Sequence, residues 1–231
     1  SDGNRIAIGA TENNGNGEDS GHVRVYDYNG SSWIQAYSDI DGEYTYDRSG
    51  SSVAMSSDGT RIAIGATQND GNDNSDIDRG HVRVFELDIP DAEPEPEAEP
   101  EPESEYSWLQ LGIDIDGEDT DDFSGYSVAM NSSGTRIAIG APYNDGGSGG
   151  GYGDRRGHVR VFDYNVSSWT QVGGDINGLY SGDESGYSVA MNSSGTKIII
   201  GARSYGGVNG ISTGCGLVYE YNSGSWSLLG N

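Results

Sequence analysis

The sequence predicts an all-β chain of repeated four-stranded units, and three observations carry the prediction. The first is a hairpin text. Residues 125–141 read GYSVAMNSSGTRIAIGA, close copies stand at 51–66 (SSVAMSSDGTRIAIGA) and 187–202 (YSVAMNSSGTKIIIGA), and the chain opens inside a fourth, SDGNRIAIGA at 1–10. The second is composition: 38 glycines and 15 tyrosines suit short strands and tight turns, and no stretch sustains a helical period. The third is slot occupancy. Trp33, Trp108, Trp169 and Trp226 share one place in the unit, Met55, Met130 and Met191 another, and His22, His81 and His158 a third.

Taken in order, each unit offers strands A to D. Strand A is the SVAM text, an Asn/Ser/Gly turn follows, and strand B is the isoleucine-rich RIAIGA text. Strand C opens with Gly-His-Val-Arg-Val at 21–28, 80–87 and 157–164, and is degenerate at 214–221; strand D carries the tryptophan. The units fall at 1–46, 47–122, 123–184 and 185–231, and the first lacks strand A. Met130 to Met191 gives a period of about 60 residues. Four short strands in such a period form the pattern of a β-propeller blade, packed on both faces by its neighbours. That explains why strand B runs on in apolar residues without polar alternation. The expected fold is therefore an arc of about four blades, the first incomplete and finished by more of a longer chain or by strand addition from a neighbour.

The formal net charge is −25, which excludes nucleic acid and anionic membrane surfaces as natural partners. Part of that charge lies in a Pro/Glu-rich insertion at 88–105 between strands C and D of the second unit, read as an extended, self-repelling spacer. Cys215 is the single cysteine, so no intrachain disulfide framework exists. No apolar run approaches membrane-spanning length, and no membrane insertion is expected.

The succession GYSVA, turn, a strand ending Gly140-Ala141-Pro142, a Gly/Asn/Asp loop, then GHVRVF resembles the FG-GAP repeat of integrin α-subunit β-propellers and their relatives. The resemblance implies a seven-bladed propeller, an extracellular or cell-surface setting, and use in adhesion or recognition. It also implies calcium loops between strands A and B. Here the sequence departs: the turns Ser56-Ser57-Asp58-Gly59, Asn131-Ser132-Ser133-Gly134 and Asn192-Ser193-Ser194-Gly195 are too short and too poor in carboxylates to enclose calcium.

In a four-strand meander the A–B and C–D turns share one face, and the B–C and D–A loops share the other. Four glycosylation sequons, at Asn29, Asn131, Asn165 and Asn192, all fall on the first face. The second face holds cation-friendly loops. In one B–C loop Asp70, Asn72, Asn74, Asp76 and Asp78 alternate, and related loops carry Asn13, Asn14, Asn16, Glu18 and Asp19, then Asn144, Asp145 and Asp154. The D–A loops carry Asp39, Asp41 and Glu43, then Asp114, Asp116 and Glu118, then Asp175. Calcium is the cation these loops could hold; Asx-turns explain the same residues without one.

Recurring His22, His81 and His158 stand on successive units and cannot converge on one tetrahedral ion, so they read as strand-edge residues. Arg5, Arg61, Arg136 and Lys197 share a slot and read as repeated salt-bridge partners. No acid stands apart from the repeat as a general acid would. The expected function is thus a non-catalytic binding or structural module that offers its B–C and D–A loops to a protein or glycan. A subunit of a surface filament such as a flagellar hair, completed by neighbouring subunits, is the first alternative, and a polysaccharide-acting enzyme the second.

Overall fold

The computed structural model describes residues 3–70, 77–88, 106–146, 153–206 and 213–230. Every regular element among them is a strand. β1 (Arg5–Ala10), β2 (His22–Tyr28) and β3 (Trp33–Asp41) form the first sheet. The second contains β4 (Ser49–Met55), β5 (Arg61–Ala66), β6 (His81–Asp88) and β7 (Ser107–Gln110), with short β8 (Ile115–Asp116) also on β6. β9 (Ser127–Met130), β10 (Arg136–Ala141), β11 (His158–Tyr164) and β12 (Trp169–Gln171) repeat that order, and β13 (Ile176–Asn177) pairs β11. The fourth sheet is β14 (Ser185–Met191), β15 (Lys197–Ala202), β16 (Cys215–Asn222) and β17 (Ser225–Leu228).

All four sheets are antiparallel meanders in chain order, so the all-β expectation holds. The fourth expected strand differs from its simple reading in the two middle copies. It breaks after the tryptophan segment and resumes as β8 or β13, whereas β3 carries both parts in one strand with a register shift. Register is constant between strands B and C: Arg5 faces Asp27, Arg61 Glu86, Arg136 Asp163 and Lys197 Glu220. These pairs are ion pairs at 2.6, 2.8, 2.5 and 3.4 Å, the partners expected from the repeated slot.

The sheets stack face to face through three apolar layers. Val23, Val25 and Ile40 meet Ile62, Ile64 and Phe85; Ala63, Val82, Val84 and Ile115 meet Val128, Ile137, Ile139 and Phe162; Ala138, Val159, Val161 and Ile176 meet Ile198, Ile200 and Tyr219. Strand B thus points its isoleucines at the preceding sheet and its central alanine at the following one. That is why β5 and β10 are buried almost throughout, while β1 alternates. At the two ends of the stack Ile8 is 49 % and Ile199 46 % exposed. Trp108, Trp169 and Trp226 pack against the three layers, and the indole N–H groups of Trp169 and Trp226 donate to Leu111 O and Val172 O of the preceding unit. No helix among the described residues is long and apolar enough to cross a membrane.

Candidate functional site

Between the second and third sheets, on the face of the B–C and D–A loops, lies a cleft of about 970 Å³. Arg48, Thr120, Asp121, Phe123 and Tyr126 reach it from the D–A connections, and Thr67, Gln68, Tyr143, Asp145, Gly153 and Arg155 from the B–C loops. Its wall is aromatic: Tyr143 stands edge-on to Phe123 at 5.3 Å and to Tyr126 at 6.2 Å, and the Arg155 guanidinium lies 5.2 Å from the Tyr143 ring centre. Tyr126 is also 4.8 Å from Tyr187, and burial together with that neighbour pushes its phenol up to about 12.

The loops around the cleft share one backbone and differ in side chains. Arg48, Phe123 and Glu184 occupy one slot with φ of 55°, 52° and 53°; Asp19, Asp78 and Arg155 occupy another with φ of 49°, 52° and 40°. The two slots are tied together, because the amides of Arg48, Phe123 and Glu184 donate to the carbonyls of Asp19, Asp78 and Arg155. Left-handed backbone at residues other than glycine costs free energy and persists where the surroundings impose it. Here it turns unlike side chains towards the same face. A buried aspartate supports the arrangement. Asp122 accepts from the Asn144 side chain at 2.9 Å and from the Asp119 amide at 3.0 Å, and burial raises its carboxyl above the ordinary value.

The predicted acids of the D–A loops gather around the histidines. Asp39 and Asp41 meet His22; Glu43 and Asp114 meet His81; Glu118 and Asp175 meet His158. The histidines stay on separate units, as their spacing requires, so each has its own cluster. His81 Nδ1 is 3.9 Å from Glu43 Oε2 and 4.0 Å from Asp114 Oδ2, and His158 Nδ1 is 3.7 Å from Glu118 Oε2. Burial, and Arg83 or Arg160 beside the ring, hold these imidazoles down at about 3 and about 4, so both are neutral at physiological pH. The histidines open their strands, as the strand-edge reading has it, and His81 and His158 are at the same time buried, each 1 % exposed. The partners were hidden because each glutamate comes from the preceding unit.

Other predicted residues are placed differently. Asp116 is linked through its backbone, whose carbonyl accepts from Arg160 Nη2. Asp70 Oδ1 caps the Asp78 amide and Asp78 Oδ1 accepts from Gln68, while Asn72, Asn74 and Asp76 lie outside the described residues, as do 89–105 of the acidic insertion. Asn13 accepts from the Gly15 amide two residues on, as an Asx-turn does, while Asn14 and Asp145 accept from the more distant amides of Asp19 and Arg155. The A–B turns do not fit the calcium implied by the family resemblance, since Asp58 Oδ1 is taken by Ser56 and Thr60, and Asn131 Oδ1 by the amides of Thr135 and Arg136. Of the sequons, Asn29, Asn165 and Asn192 are exposed. Asn131 differs from them: it is 7 % exposed, and its amide nitrogen donates to Thr135 Oγ1. The aromatic cleft was missed because Phe123 and Tyr143 do not repeat; comparing the same loop slots between copies would have found them.

No family model and no curated protein matches the chain. Among solved structures, the crystal structure of the tricorn protease is similar at a TM-score of 0.47 and 11 % identity, covering 96 % of this chain and 17 % of that one. The chain thus spans less than a fifth of that protein's length, and a likeness of this strength carries no argument about fold closure or activity.

Proposed function

We propose that this chain is an arc of an FG-GAP-like β-propeller, at the cell surface or outside the cell, acting as a non-catalytic recognition module whose cleft takes a glycan. The observation that carries the reading is the contrast between constant loop backbone and changing side chains around the cleft. Residues that serve packing repeat from copy to copy, as the strand B isoleucines do; residues that serve a ligand need not. The chemistry suits a sugar: Phe123, Tyr126 and Tyr143 offer ring faces and edges, and Arg48, Arg155, Asp121 and Gln68 offer polar groups beside them. The volume is that of a concave small-ligand site, whereas protein surfaces meet over broader, flatter areas.

The exposed ends of the stack support the arc. Ile6 and Ile8 hold the slots that Ile62 and Ile64 fill against a preceding sheet, so a further sheet would fit there, from more of a longer polypeptide or from a neighbouring subunit of a surface filament. The cleft reading is tested by binding of the protein to an immobilised glycan array. Retention of a restricted set of glycans, reduced at least about tenfold by Tyr143→Ala, is expected. Absence of any retained glycan, or retention with turnover of the sugar, would contradict it.

A further inference from the structure

We infer that two junctions between neighbouring sheets are binding sites for a divalent transition metal of the zinc class, one formed by Glu118, His158 and Asp175 and one by Glu43, His81 and Asp114. Each site is assembled in the same way. A glutamate comes from the loop leaving one sheet, while the histidine opens strand C of the next and the aspartate precedes the short strand paired with it. The candidate ligand atoms of each set lie within 4.8 Å of one another.

The unsatisfied imidazole points to an ion. His158 is 1 % exposed, and its Nδ1, 3.7 Å from Glu118 Oε2, has no hydrogen-bond partner among the described residues; at His81, also 1 % exposed, it is Nε2 that lacks one, while Nδ1 faces Glu43 and Asp114. A buried polar atom left unpaired is an uncompensated cost, which a ligated cation would remove. The carboxylates are already oriented. Gln171 Nε2 donates to Asp175 Oδ1 at 2.7 Å, Gln110 Nε2 donates to Asp114 Oδ1 at 2.6 Å, and Arg160 Nη1 lies 3.8 Å from the second oxygen of Glu118. Outer partners of this kind fix the free oxygen of a ligand.

One imidazole and two carboxylates give three protein ligands with a fourth position open to water through the half-exposed glutamate. That is a tetrahedral N/O set for zinc, and it is too small and too nitrogen-bearing for calcium. At the fourth unit Cys215 replaces the histidine, Leu217 the neighbouring arginine, and Leu179 the glutamate. His22 is left out, because Arg24 engages both oxygens of Asp39 at 2.9 to 3.0 Å.

The test is calorimetric titration of the metal-free protein with zinc chloride, repeated with cobalt(II), whose visible absorption reports coordination geometry. Saturable uptake of two ions per chain with a tetrahedral cobalt spectrum is expected. His158→Gln should bind one ion fewer. Glu118→Gln, at a half-exposed position that leaves the fold intact by circular dichroism, should weaken one site by at least the roughly tenfold that loss of an outer-shell partner costs. Absence of saturable uptake, uptake unaltered in both variants, or displacement of zinc by calcium at equal concentration would overturn the inference.

Discussion

Gly140 sits where two sheets come closest. A Cβ there would run into the carbonyl oxygen of Gly186 on the following sheet, and that carbonyl already accepts from Ser127 Oγ at 2.8 Å. Gly9 and Gly65 meet the carbonyls of Gly50 and Gly125 in the same way, so the glycine of RIAIGA is a spacing residue, whatever its turn propensity. Gly201 holds the equivalent slot in the fourth sheet, yet a Cβ there meets only the Ser188 hydroxyl, which can rotate away. Gly140→Ala is therefore expected to cost about 1–3 kcal/mol in urea unfolding, the range for overpacking a core. Gly201→Ala should cost clearly less; equal losses would show that the glycine acts through its own strand. Such slots were legible in the sequence because packing constraints repeat with the unit. The histidine clusters were not, since a slot seen once per unit does not reveal a partner that arrives from the preceding unit.

At the scale of the element, the strand B cation ties each hairpin to the next sheet. Arg136 grips Asp163 on its own sheet through two hydrogen bonds, donates from Nη1 to Gly195 O in the following A–B turn at 2.9 Å, and lies 4.8 Å from the Tyr221 ring centre. Arg5 and Arg61 repeat the link to Gly59 O and Gly134 O. Among the described residues Lys197 pairs with Glu220 alone, at 3.4 Å, and its side chain is half exposed. Truncating Arg136 to alanine removes charge-assisted bonds in a largely covered site, and a loss of about 1.5–3 kcal/mol is expected by chemical denaturation. Lys197→Ala should stay within about 1 kcal/mol, as for an exposed pair. A smaller loss for Arg136→Ala than for Lys197→Ala would refute the inter-sheet role. Strand identity and order were readable from the text, but the break that separates β7 from β8 was not. It depends on Leu111, whose amide donates to Val84 O beyond the end of β7 while its carbonyl receives the next unit's tryptophan.

The whole molecule is a stack of sheets in which each layer contacts its neighbours, so its core is a series of similar interfaces. The interior repeats because every interface solves the same packing problem. On the loop face the backbone repeats too, but the slots of Arg48, Phe123 and Glu184, or of Gln68, Tyr143 and Ser204, carry unrelated chemistry. The loops of that face were legible in the sequence, while the cleft was not, because it depends on side chains from two units meeting across a sheet junction. The central claim is that these changing residues recognise a ligand on an unchanging frame. The most direct measurement is glycan-array binding by the double variant Phe123→Glu/Tyr143→Ser, which gives the cleft the residues the next copy carries in the same slots. The account predicts wild-type thermal stability within a few degrees and loss of the glycans the unaltered protein retains. Retention of the same glycans at the same strength by this folded variant would contradict it.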